Sequence, residues 1–219
     1  MSTFLELVAA WWVENGLEGE PPTTVLNQTG MKKRACYWIQ RADMEVQNRW
    51  QNWDFLFASF SATTIATVAE INAPVDLGMW DRESFYLASE RLSFIAYERW
   101  RDVYGRSTAT GQPWGYTIDK KHNLILVPTP DAAYALTADY YKSAQKMTES
   151  TSSTPIPARF ERAILAKASE YYARSEEIPL LLQESKQEFY EIMNKMEAVY
   201  LPNMQTSSVA DNEDYLVLD

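Results

Sequence analysis

The chain has 219 residues and 46% hydrophobic content, enough to bury a core and too apolar for wholesale disorder. Its net charge of −10 and pI near 4.7 disfavour any role in coating nucleic acid, which needs clustered Lys and Arg. A single cysteine, Cys36, excludes an internal disulfide and a thiolate metal cluster, and a single histidine, His122, excludes a multi-histidine metal site.

In chain order, Thr3 and Glu6 form a candidate capping box. Phe4, Leu7, Val8, Trp11 and Trp12 then recur at helical spacing, and Asn15-Gly16 supplies a stop. The N-terminus lacks the basic stretch of a secretion signal, and no run approaches membrane-spanning length, so no membrane partner is expected. A loop through Pro21-Pro22 leads to a longer predicted helix from Met31 to about Trp53. Its stripe is Cys36, Ile39, Val46, Trp50 and Trp53, interrupted by Asp43.

From Phe57 the pattern turns to strand. Phe57–Ser61 alternates, and Thr63–Val68 is rich in β-branched residues. Ser84–Leu87 and Leu92–Ile95 read as hairpin arms joined through Ala88–Arg91. Tyr97–Tyr104 reads as a short helix, Leu124–Val127 as a buried strand ending at Pro128, and Ala133–Tyr141 as the last strand. Thr148–Thr154 (TESTSST) is a polar connector, expected to let its two flanks take independent angles. A helix follows from Arg159-Phe160 to about Glu176, with Phe160, Ile164, Ala168 and Tyr171 on one face. Pro179 opens the final helix, whose apolar face is Leu182, Phe189, Ile192, Met196 and Val199. The fold class expected is α+β: mainly an α-helical bundle of N- and C-terminal helices, with a β-rich insertion and an extended C-terminal tail. The expected units are residues 1–56, 57–147, 148–202 and 203–219.

Candidate chemistry is sparse. His122 lies between Lys121 and Asn123 in a turn pattern, where a solvated residue is the simpler reading. Asp76, Asp81 and Glu83 gather near Trp80, and two carboxylates suffice for glycoside hydrolysis. Their spacing is that of any acidic loop, so a glycan hydrolase is an alternative reading, and a helical scaffold module is another. Lys32-Lys33-Arg34 opens the long helix, where the dipole disfavours cations. No residue set calls for a cofactor or metal. The last stretch carries Asp211, Glu213, Asp214, Tyr215, Leu216, Val217 and Leu218: charge and apolar anchors suited to a segment that orders on a partner.

Several segments together carry a resemblance: WQNWDFLF, PVDLGMWDRESFYL, YERWRDVYGRSTATGQPWGYTID, NLILVPTPDAAYALTADYYK and TPIPARFERAILAKA. Over roughly residues 3 to 200 the chain resembles the head-to-tail adaptor proteins of tailed bacteriophages, the group of tail tubular protein A and the portal-bound neck connectors. The resemblance implies a structural, non-enzymatic virion protein at the head–tail junction, made in the host bacterial cytoplasm. It implies a dodecameric ring beneath the portal protein and a lower surface for a tail or nozzle protein. Double-stranded DNA would pass through the lumen without sequence-specific binding during ejection. It also implies a C-terminal segment that docks on the portal, the position held here by Asp211–Leu218.

Overall fold

In a computed structural model of the chain, residues 1–201 are described. Helix α1 (Phe4–Glu14) starts where Thr3 accepts the Glu6 N–H and Glu6 reaches back to the Thr3 N–H, so both halves of the capping box form. Helix α2 is Gly30–Asn48, α3 Tyr97–Val103, α4 Arg162–Ser175 and α5 Pro179–Tyr200. The strands are β1 (Phe57–Thr63), β2 (Glu70–Ile71), β3 (Leu77–Trp80), β4 (Tyr86–Leu87), β5 (Glu90–Arg91), β6 (Ser93–Phe94), β7 (Gly115–Ile118), β8 (Leu124–Val127) and β9 (Ala135–Lys142).

This corrects the expected mainly helical bundle. Among the described residues there are five α-helices and two sheets, and the strands own a core rather than decorating a helical one. One sheet runs β1-β9-β4-β5, with β3 also on β9. The other runs β2-β8-β7-β6, antiparallel except for the parallel β6–β7 pair. Trp80, Leu87, Leu136 and Tyr140 from the first sheet meet Tyr116, Leu124 and Leu126 from the second. The Phe85 and Tyr116 rings stack there at 4.1 Å. The sequence pattern understated this core because its strands are short and only one inward residue in two carries the signal.

A second core collects Trp11, Ile39, Val46, Ile164, Phe189 and Met193 from the helices, with Trp53 from the segment after α2. Helix α4 packs against α2 and α5, and α1 against α2 and α4. The stripe Phe160, Ile164, Ala168 and Tyr171 is buried throughout. On α5 the buried face is Ser185, Phe189, Met193 and Met196; Val199, assigned to that face by spacing, is 50% exposed.

Other expectations shift locally. Helix α2 ends at Asn48, not Trp53. The Trp53 indole N–H donates to the Val46 carbonyl, satisfying a helix-end acceptor while the chain folds back and buries the ring. Thr63–Val68 continues as a strand for one residue only. Thr64 is then fixed by bonds to Tyr134 and Ala132, and Ile65–Val68 closes a small loop with Thr67 at φ 67°. The expected Ser84–Ile95 hairpin is shorter: β4 turns tightly onto β5, and β6 leaves for the other sheet.

The connector Thr148–Thr154 is not a free joint. The Ser152 and Ser150 carbonyls accept from Phe4 and Leu5 N–H, the Ser150 hydroxyl accepts from Val25 N–H, and the Thr154 hydroxyl donates to Asp43 at 2.6 Å. Just before it, Gln145 exchanges two bonds with Gln47, and Gln40 donates to the Met147 carbonyl. Asp43, read as a flaw in the α2 stripe, is buried and serves as the hub of this polar seam.

Candidate functional site

Helix α3 contributes no buried residue. It rests against β7, and a cleft of ≈ 420 Å³ opens between it and β8. Tyr97, Trp100 and Tyr104 fall three and four apart, so they share one side of α3. The Tyr97 and Trp100 rings stack at 5.5 Å, and the Tyr104 ring meets Trp114 edge-on at 5.9 Å. Trp100, Tyr104 and Trp114 form one wall; Ala69, Ile125, Val127 and Pro128 form the other. Helix α3 stops at Tyr104-Gly105, where both N–H groups reach the Trp100 carbonyl. A Cβ on Gly105 would sit 2.8 Å from the Arg101 carbonyl oxygen, so the tight turn requires glycine.

The cleft is open and aromatic. Trp114 is 50% exposed. Arg101 and Arg106 border an adjoining hollow beside Trp100 and Gly105. Exposed aromatic rings beside guanidinium groups make a surface suited to gripping a protein, since Trp, Tyr and Arg dominate binding energy at interfaces. No nucleophile–base pair lines this cleft.

The residues singled out by sequence lie elsewhere and serve the fold. Asp76 accepts from the Tyr140 hydroxyl at 2.9 Å and pairs with Lys142 at 3.5 Å. Asp81 accepts the Glu83 N–H in a bend, and the Glu83 carboxylate pairs with Arg91 at 3.4 Å. The three carboxylates thus have three separate jobs. His122 is exposed at φ 66° in the β7–β8 turn, and its carbonyl accepts from the Trp80 indole. In the basic triplet, Arg34 pairs with Glu176 at 3.0 Å and lies over Trp38. Burial pushes the Cys36 thiol up, away from reactive thiolate character. Among the described residues no group of three or more His, Cys, Asp or Glu is placed to hold a metal. Asp211, Glu213, Asp214, Tyr215, Leu216, Val217 and Leu218 lie outside the described residues.

Two buried polar centres escaped the sequence reading. Burial raises Asp43 to about 6, against hydrogen bonds from Thr154 and Gln47 that favour the anion. Between α2 and α4, Lys167 pairs with Glu45 at 2.7 Å and with Glu170 at 3.0 Å, and Arg174 reaches Glu170 at 2.7 Å. Burial works to lower Lys167, but its bonds to Glu45 and Glu170 win and hold its pKa up. Lys167 on α4 is four residues from Tyr171 in the apolar stripe, and that spacing alone places the ammonium beside the core.

The family model for the SU10 adaptor protein matches residues 2–211, covering the helices and both sheets alike. The chain belongs to the SU10 adaptor protein family. This is a family of structural phage adaptors. No curated protein matches the chain. In this adaptor, no helix among the described residues is long and apolar enough to cross a membrane. The aromatic cleft was missed because YERWRDVY was read only as a short helix; the three-four spacing of its rings was the available signal.

Proposed function

We propose that this adaptor joins the head of a tailed phage to its tail, as a ring of copies, a dodecamer, seated below the portal protein. The observation that carries this reading is the family match across residues 2–211. The resemblance to tail tubular protein A and the neck connectors points the same way. The protein works by recognition, not catalysis. Segment 203–219 latches onto the portal, with Tyr215, Leu216, Val217 and Leu218 as anchors and Asp211, Glu213 and Asp214 facing basic groups. The cleft of Trp100, Tyr104 and Trp114 offers an aromatic grip for the tail or nozzle component. The net charge of −10 suits a lumen through which DNA slides without sticking during ejection.

The test is electron microscopy of the purified adaptor mixed with portal rings. The expected image is a second ring stacked on one face of the portal. Portal rings that stay bare at saturating adaptor would overturn the proposal.

A further inference from the structure

Strand β1 lies at the rim of its sheet and pairs with β9 on one side only. Phe57 N–H donates to the Asp54 carbonyl of the preceding turn; beyond that bond, no described backbone group bonds to the other side of β1, and all seven of its residues are at least partly exposed. The register shows which backbone groups are free. Thr64 N–H bonds to the Tyr134 carbonyl, so the pairs that exchange hydrogen bonds with β9 are the even-numbered residues of β1. The N–H and C=O groups of Ser59, Ser61 and Thr63, and the C=O of Phe57, therefore point outward and are free.

An open rim of this length is usually blunted by Lys, Pro, a bulge or a covering loop. The sequence Phe57-Ala-Ser-Phe-Ser-Ala-Thr63 has no charge and no proline, and its pairing with β9 has no register shift. It is also nearly palindromic about Phe60. If a second β1 is laid antiparallel with Phe60 opposite Phe60, then Ala58 faces Ala62, Ser59 faces Ser61 and Phe57 faces Thr63. In that register every outward-pointing residue meets another outward-pointing residue: Ser59 and Ser61 exchange both bonds, and Thr63 N–H reaches the Phe57 carbonyl, while the Thr63 carbonyl stays with solvent because Phe57 N–H is held by Asp54. Phe60 falls at a non-hydrogen-bonded site, where opposed side chains approach most closely and aromatic pairs add stability. A shift by one residue would set outward groups against inward ones. The chain's net charge of −10 makes copies repel, and this uncharged strand is where two can meet.

We infer that the unassembled protein pairs with a second copy of itself through β1, forming one continuous sheet across a two-fold axis. A two-fold contact closes on itself after two copies and cannot by itself build a ring. The pairing therefore belongs to the free protein, and it stands or falls independently of attachment to the portal.

The test is the solution mass of the full chain by sedimentation, with three variants. The wild-type mass should be twice the 25.2 kDa of one chain. Ser61→Pro removes an outward N–H without touching the β9 ladder, and Ser61→Lys places a charge on the rim. Each should keep the wild-type far-UV circular dichroism and raise the dimer dissociation constant more than about tenfold. A chain ending at residue 202 should remain dimeric. A wild-type monomer at all concentrations, or folded Ser61 variants that dimerise as the wild type does, would overturn the inference. Loss of the dimer on removing residues 203–219 would overturn it too, by assigning the contact to that segment.

Discussion

Asp43 couples stability to pH. In the folded protein its carboxyl holds a proton up to about 6, whereas an unperturbed aspartate titrates near 3.8. The folded state thus binds the proton more tightly. The resulting stabilisation is fully present below the lower value and is lost as pH rises through the upper one. The gap of roughly two units corresponds to about 3 kcal/mol. Urea unfolding at intervals from pH 4 to pH 7 should show wild-type stability falling by that order relative to Asp43→Asn, which lacks the titrating group. A constant difference between the two proteins would remove Asp43 as the cause. Lys167 tests the other polar centre. Lys167→Ala leaves Glu170, which is 4% exposed, with Arg174 as its one cation among the described residues. The expected loss is about 2–4 kcal/mol in chemical denaturation, because a buried carboxylate without full compensation is costly. Lys167→Met should lose less, because it keeps the packing against Phe189 and Tyr171.

At the level of elements, α3 separates folding from binding. It buries no side chain, and Trp114 beside it is half exposed, so Trp100→Ala and Trp114→Ser should each reduce stability by less than about 1 kcal/mol. The same variants should yield phage heads that carry adaptor but lack tails, countable in micrographs of a complemented infection. Normal tailed particles from both variants would remove the cleft from the attachment surface. Elements with strong periodicity were legible in advance. The Thr3–Glu6 box, the Trp11-Trp12 face of α1, the Pro179 start of α5 and the Leu124–Val127 strand all follow from local chemistry. Misread elements were those settled by distant contacts. Trp53 looked like the last turn of a helix and instead caps it from outside, through a bond to Val46 seven residues earlier. Asp43 looked like a defect until Thr154, 111 residues away, supplied its partner. The β-branched Thr63–Val68 run became a loop because Thr64 bonds to Tyr134 and Ala132. The aromatic cleft is built from α3, the loop carrying Trp114 and β8 together, so no single segment announced it.

For the molecule as a whole, charge sets how copies meet. A chain with net charge −10 repels its neighbours, and added salt screens that repulsion within a Debye length of about 10 Å at 0.1 M. Assembly of adaptor on portal rings, followed by light scattering, should therefore be faster at 0.3 M than at 0.03 M salt. The opposite trend would indicate that attraction between charges, not apolar grip, drives docking. Deleting residues 203–219 should leave the melting transition unchanged and abolish portal attachment in the same assay. The polar seam along α2 has a mechanical consequence. Gln40, Asp43 and Gln47 hold the chain as it leaves β9, and the following serines are tied to the start of α1. Tension applied to the strands is thus shared among several hydrogen bonds, so the two halves of the subunit should resist being drawn apart and move together as a strut.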